Sequence, residues 1–268
     1  MIGPTKRNLL GVGVDEVDYE AAVERVIAAA EAGERYGVSA LAVHGIATAV
    51  LEEDVRRRVN SLELVTPDGQ PVRWALNLLH RSGLSDRVYG PELTLRVCAA
   101  ASRRGLPIYL YGSSEQVVTL LASKLEGRFA GLEVAGAEPS AFHSLSETER
   151  RAVIERIRAS GAKLVLVGLG CPRQETFVAE NSTDLRMPAL AVGAAFDFHA
   201  GLANEPPPWM QGAGLQWLHR LAGNPRRLWR RYLLLNPLYV LLVAAQWAGL
   251  RRPELRTGEP LPPLARPG

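Results

Sequence analysis

"LVTPDGQPVRW", residues 64–74, contains the unit from which the rest of the chain can be read. The apolar run 62–65 feeds a turn, Thr66-Pro67-Asp68-Gly69, and a helix-like stretch follows over 72–79. Proline presets φ and glycine tolerates conformations other residues avoid, so a strand can end here, turn sharply and continue as a helix. The unit recurs outward in both directions. Strand-like runs are expected at 38–43, 107–111, 132–135, 163–167 and 189–192, and helices at 18–32, 46–60, 93–103, 116–129, 147–160 and 173–181. Further helices are expected at 208–221, 225–235 and 237–250. Ser146 with Glu149 reads as a capping box, and Ser114 precedes Glu115 at another helix start. This alternation predicts an α/β fold, a Rossmann-like, mostly parallel sheet with helices on both faces.

Such sheets bind ligands outside the carboxyl ends of their strands. The residues there are Val43-His44-Gly45, the Asp68 turn, Tyr111-Gly112-Ser113-Ser114, the run from Gly168 to Glu175, and Gly193-Ala194-Ala195-Phe196-Asp197. Backbone N–H groups in glycine-rich turns that open helices can approach phosphate oxygens, which suggests a nucleotide-sugar or dinucleotide site. Asp68 fits two roles, a turn or N-cap aspartate and a general base at the mouth of the sheet. Asp197 reads as a capping or paired carboxylate or as a ligand contact, and Arg87 with Gly90 as a phosphate clamp or a surface ion pair. The string VGLGCPRQE, 167–175, lacks the third glycine of a dinucleotide fingerprint and the GK[ST] of a P-loop. Histidines 44, 80, 143, 199 and 219 have no HxH or HExxH spacing, and there is no DxD pair or GxSxG. Neither a metal, a cofactor nor a serine nucleophile is expected.

The chain has 268 residues, 47% of them apolar, enough for one α/β domain with an appendage. Cys98 and Cys171 lie in apolar or glycine-rich contexts and suggest a reducing compartment. No long apolar stretch follows the first basic residues, so no signal peptide is expected. The formal net charge of +3 is unevenly divided. Residues 219–256 hold eight arginines, no lysine and one acid, Glu254, a net +7 that leaves −4 for the remainder. That asymmetry points to a polyanionic partner, nucleic acid or an anionic membrane.

Taken in order, TPDGQPVRW, RVYGPEL, YLYGSSE, VGLGCPRQE, AVGAAFDFHAG, PPWMQGAGLQWLHRL and NPRRLWRRYLLLNP resemble the WecG/TagA/CpsF glycosyltransferase family. The resemblance runs from about residue 10 to about residue 240, and its DGQPV and VYGPEL strings are most similar to members found in exopolysaccharide gene clusters. It implies an inverting, metal-independent transferase that moves an N-acetylhexosamine or related sugar from a UDP-sugar to an undecaprenyl-diphosphate-linked saccharide at the inner face of the bacterial membrane. The family's proposed base falls on Asp68, and its substrate-contacting arginine, glutamine and second aspartate fall on Arg87, Gln174 and Asp197. Thr66, Gly112, Gly168 and Gly170, in the strand-end turns, count with them as substrate-binding candidates. His44 stands where the family often has the asparagine of a T-x-N arrangement, which puts the identity of the donor sugar in question.

The division implied is a body over 1–205, a helical Arg/Trp/Leu-rich appendage over 206–256 and a disordered proline-rich tail over 257–268. Residues 232–250 are almost uncharged, but Asn236-Pro237 interrupts them, and 238–250 would reach only about 20 Å at 1.5 Å per residue. With arginines at both ends and interspersed Trp and Tyr, peripheral binding to an anionic membrane is the expectation. The resemblance implies a membrane-targeting appendage whose arginines, Arg226, Arg227, Arg230 and Arg231, also meet a diphosphate in the active site of a neighbouring body; a homo-oligomer is left open. A nucleic-acid-binding module is the competing reading of the basic segment, opposed by its leucine and valine content. A nucleotide-binding oxidoreductase is opposed by the broken fingerprint.

Overall fold

A computed structural model of the chain describes residues 6–141, 143, 145–259 and 261. A hairpin comes first, β1 (Lys6–Leu9) antiparallel to β2 (Val12–Asp15). Leu10 (φ 60°) and Gly11 (φ 89°) form its two-residue turn, both in the positive-φ region that tight hairpins demand. The alternating body follows: α1 (Tyr19–Ala32), β3 (Tyr36–Leu41), α2 (Val43–Leu51), α3 (Glu53–Asn60), β4 (Leu64–Pro67), α4 (Gln70–His80), α5 (Gly90–Arg103), β5 (Ile108–Gly112), α6 (Glu115–Arg128), β6 (Val134–Glu138), α7 (Glu147–Ala159), β7 (Leu164–Gly168), α8 (Arg173–Leu185), β8 (Pro188–Ala191) and α9 (Ala195–His199). The last helices are α10 (Pro208–Gly212), α11 (Gln216–Gly223) and α12 (Pro225–Trp247).

The main sheet has six strands in the order β4-β3-β8-β7-β5-β6, and every pairing is parallel. Its strands are apolar on both faces, as a sheet covered by helices requires. Ile108, Leu110, Leu164, Leu166 and Leu190 join a core with α1, α5, α6 and α9. Tyr109, Tyr111, Val165, Val167 and Ala191 join the other, with the hairpin, α2, α3, α4, α7, α8 and α12. The chain winds outward from β3 to β4 on one side and from β5 to β6 on the other, then returns inward through β7 and β8. A reversal of this kind opens a crevice at the carboxyl ends of the central strands.

The α/β class and the parallel sheet agree with the sequence, and both helix starts are as read. Ser146 and Glu149 form the reciprocal capping box, and the Ser114 side chain accepts from the Val117 N–H. Several boundaries differ. The expected helix 46–60 is two, broken at Glu52, whose extended backbone ends α2 and starts α3. The expected helix 208–221 breaks at Gly214 (φ 72°), where an added Cβ would lie 2.8 Å from the Trp74 ring. The expected pair 225–235 and 237–250 is instead the single helix α12, running through Pro237. Pro237 is exposed, and Leu233, whose carbonyl loses its partner, is 53% exposed, so water can meet that carbonyl. The length estimate for 238–250 therefore no longer applies. Even so, no helix among the described residues is long and apolar enough to cross a membrane. Much of the expected disordered tail lies outside the described residues.

Candidate active site at the carboxyl ends of the strands

Leu64–Pro67 is fully buried as β4, so the chain emerges from the sheet at Asp68. The Asp68 N–H donates to the carbonyls of Leu41 (3.3 Å) and Thr66 (3.0 Å), which ties the turn to β3. Gly69 (φ 107°) then takes a conformation L side chains rarely adopt, and Pro71 starts α4. The backbone on both sides thus aims Asp68 into a cavity of about 960 Å³ at the sheet's carboxyl edge.

The opposite wall comes from β5, β7 and β8. Gly112 and Gly168 are register partners, and a Cβ on Gly112 would lie 2.6 Å from the Gly168 carbonyl carbon. A Cβ on Gly168 would in turn strike the Phe196 ring at 2.6 Å. Gly170 (φ 76°) turns the chain into α8. In the first turn of α8, Glu175 is 1% exposed and accepts from Ser39 Oγ (3.1 Å) and Gln174 Nε2 (2.9 Å). Burial pushes the Glu175 carboxyl above its ordinary range, against the bonds from Gln174, Ser39 and Cys171. The bond to Glu175 fixes Gln174, whose Oε1 would be 3.1 Å from a Cβ on Gly193 and has no hydrogen-bond partner among the described residues.

The segment between α4 and α5 makes the third wall. It is fastened to β4 by Val88 N–H donating to Pro67 O (3.0 Å) and Thr66 Oγ1 donating to Val88 O (3.4 Å). Arg87, 4% exposed, lies 4.2 Å above the Tyr89 ring. It donates to Gln211 Oε1 (2.8 Å) and to Gln216 Oε1, both from the C-terminal helices. Tyr89 N–H donates to Tyr19 Oη (2.9 Å). Burial, with the Asp68 charge among the lesser causes, raises both phenols, Tyr19 to about 12. Tyr89 also borders a second cavity of about 670 Å³.

The sequence profile of the Glycosyl transferase WecG/TagA/CpsF family matches residues 7–253, nearly the whole chain. The chain belongs to this glycosyltransferase family.

Against that membership, the residues singled out from the sequence fall into two groups. Asp68, Gly168, Gly170, Gln174 and Asp197 of the glycosyltransferase line the larger cavity. Arg87 borders the smaller one. Thr66, fully buried, braces the Arg87 segment instead of facing the cavity, and Gly112 serves the close approach of β5 and β7. His44 sits in the first turn of α2 and is not a wall residue, although its neighbours Ala42 and Gly45 are. Arg226 and Arg230 are exposed on α12, Arg230 lying 5.3 Å from the centre of the Trp229 ring, and neither lines the cavity. The side chains of Arg227 and Arg231 lie outside the described residues. The C-terminal helices do reach the site, through His219, Arg220, Asn224 and Leu228. Arg173, Arg220, Tyr89 and Glu175 are among the wall residues that sequence reading did not single out. Arg173 and Glu175 flank Gln174 in the same motif, and Arg220 belongs to the basic segment, so a signal for three of the four was present.

Proposed function

We propose that the protein is an inverting transferase that moves an N-acetylhexosamine-type sugar from a UDP-sugar to an undecaprenyl-diphosphate-linked saccharide, at the inner face of the cell membrane, in building an exopolysaccharide or related surface glycan. The observation that carries this reading is Asp68, held by its backbone in the wall of a wide cavity whose other side is built of glycine turns. The acceptor hydroxyl oxygen bonds to the anomeric carbon from the side opposite UDP, and Asp68 takes its proton as that bond forms. The bond from the anomeric carbon to the diphosphate oxygen breaks, and UDP departs with the electron pair. Its charge is met by Arg173, Arg220 and the backbone amides of the turns at Gly168–Cys171 and Gly193–Ala194. These donors do the work without a metal or cofactor.

Membrane association rests on α12. Tyr232, Tyr239 and Val243 of this helix are buried, while Leu233, Leu234, Val240, Leu241 and Trp247 are 44–68% exposed on the other side, as is Trp229. The exposed residues recur mainly at four- and seven-residue spacing, about one and two helical turns, and so share a face. That face, with Arg226, Arg227, Arg230 and Arg231 at one end, suits the lipid interface and the diphosphate of a lipid-linked acceptor. The decisive experiment is UDP release from a panel of UDP-sugars offered with a soluble lipid-diphosphate N-acetylglucosamine analogue. One UDP-sugar should be consumed only when the acceptor is present, and anomeric NMR of the product should show inversion. Release that is independent of acceptor, or a retained anomer, would contradict the reading.

A further inference from the structure

The second cavity, which shares Tyr89 with the first, has no role in the chemistry above. Its charged lining consists of Asp86, Glu92 and Glu205 against Arg87, Arg96 and Arg128, three of each sign. His199 adds no charge near neutrality, because burial holds its imidazole below the ordinary value. The lining is therefore balanced overall, unlike the strongly basic segment 219–256, none of which lines it. Two aromatic rings are present, and both carry a cation on one face. Arg96 lies 4.5 Å over Tyr19 and Arg87 lies 4.2 Å over Tyr89. A neutral, polyhydroxylated ligand matches this surface. Its C–H face packs on apolar and aromatic groups, and its hydroxyls find donors and acceptors of both kinds. A diphosphate does not match it, since three carboxylates against three guanidiniums offer its charge no net attraction.

Position agrees with chemistry. The two cavities meet at Tyr89, and Asp68 sits beside that junction: a Cβ on Gly90, the next residue, would be 3.6 Å from Asp68 Oδ2. A sugar held in the smaller cavity would bring a hydroxyl toward Asp68 from a cavity that the glycine turns at Gly168–Cys171 and Gly193–Ala194 do not line. The cavity volume, about 670 Å³, lies within the usual range of small-molecule sites. We infer that this smaller cavity is the subsite for the terminal sugar of the acceptor, a neutral pyranose, kept apart from the nucleotide by Tyr89. The inference rests on the transferase reading for the word acceptor, but sugar binding here is measurable without turnover.

Two substitutions address it. Arg96→Ala removes an exposed guanidinium from the cavity wall at little structural cost, because its ion pair with Glu92 is solvent-exposed. Gly212→Trp adds a bulky group at the mouth, where an added Cβ meets nothing within 4 Å. Saturation-transfer NMR on the full chain, with a panel of free N-acetylhexosamines as probes, should show contact with one of them in the wild type. The signal should weaken in Arg96→Ala and vanish in Gly212→Trp, while calorimetry shows unchanged UDP affinity. In turnover, Arg96→Ala should raise the KM for the soluble acceptor about tenfold, the effect of losing one charge-assisted hydrogen bond, and leave the KM for the donor unchanged. The inference is overturned if no probe contacts the wild type, if Gly212→Trp binds as well as the wild type, or if UDP displaces the probe. Sugar contact at this cavity in a protein that consumes no UDP-sugar would instead refute the transferase reading and leave the subsite standing.

Discussion

The Asp68 N–H donates to Leu41 O in β3 and to Thr66 O in β4, so main-chain bonds help to hold the turn that carries the carboxylate. Asp68→Asn should lower turnover at least ~100-fold, the lower range for losing a general base, with UDP affinity unchanged by calorimetry. Near-normal turnover would remove the base from the mechanism. Glu175 offers a pH signature. Its folded-state pKa is raised above the ordinary 4.5, so between those two values the native protein holds a proton that the unfolded chain releases. Stability from this group is thus full below the ordinary carboxyl value and falls as pH rises toward the folded one. Glu175→Gln, neutral at every pH, should lose that decline, and urea unfolding from roughly pH 5 to pH 8 would reveal a flatter profile. The two thiols should differ as well. Burial raises Cys98 to about 12, whereas Cys171 lines the larger cavity. A maleimide should label Cys171 alone in the native protein, more slowly with UDP present; equal labelling of both would contradict this. At this scale the cavity wall was legible where a residue follows a strand's end, as at Asp68, Gln174 and Asp197. It was not legible for Tyr89, which reaches the cavity only through tertiary packing, while for Arg220 the basic segment carried a signal but no position. Thr66 and Gly112 look like ligand contacts in the sequence but answer local demands, a brace and a tight approach of two strands.

At the scale of elements, strong periodicity identified most helices and five of the six main strands closely, with β6 shifted toward its carboxyl end. The misses have local physical causes. The hairpin of β1 and β2 has four-residue strands joined by Leu10-Gly11, which lacks the usual Asn-Gly or Asp-Gly signal. The break at Glu52 involves no proline or glycine, and the proline at 237 makes no break because it faces solvent. What anchors α12 is likewise invisible in a linear reading. Gln246 accepts from Leu10 N–H and donates to Asn8 O, each at 2.9 Å, while Tyr239 Oη donates to Pro71 O at 3.1 Å. Gln246→Ala leaves two hairpin groups without these partners. It should cost about 1–3 kcal/mol and lower the melting temperature by ~2–4 °C per kcal/mol in a chain of this size. A calorimetric scan unchanged from the wild type would show that the C-terminal helix and the hairpin are not coupled.

For the whole molecule, the uneven charge read from composition falls on α11, α12 and the segment that follows them. The basic residues cluster with an apolar helix face that has no partner among the described residues of the chain. Leu241→Glu and Leu234→Glu change residues 68% and 59% exposed, so folding should be little affected. Both should reduce co-flotation with vesicles containing anionic phosphatidylglycerol, and added salt should weaken the wild-type association as well. Retained flotation of the double variant would place the lipid contact elsewhere. The other face of the same helix is committed: Tyr239, 3% exposed, and Val243, 8% exposed, belong to the core shared with α2 and α4. Peeling α12 away to bury it deeper in lipid would open that core, so under the proposed membrane association the helix and the body would settle on a bilayer as one block. The fold would then work as a ruler. It would set how far above the lipid headgroups Asp68 stands, and with it how long a glycan stem the proposed carrier must present before its end can be extended.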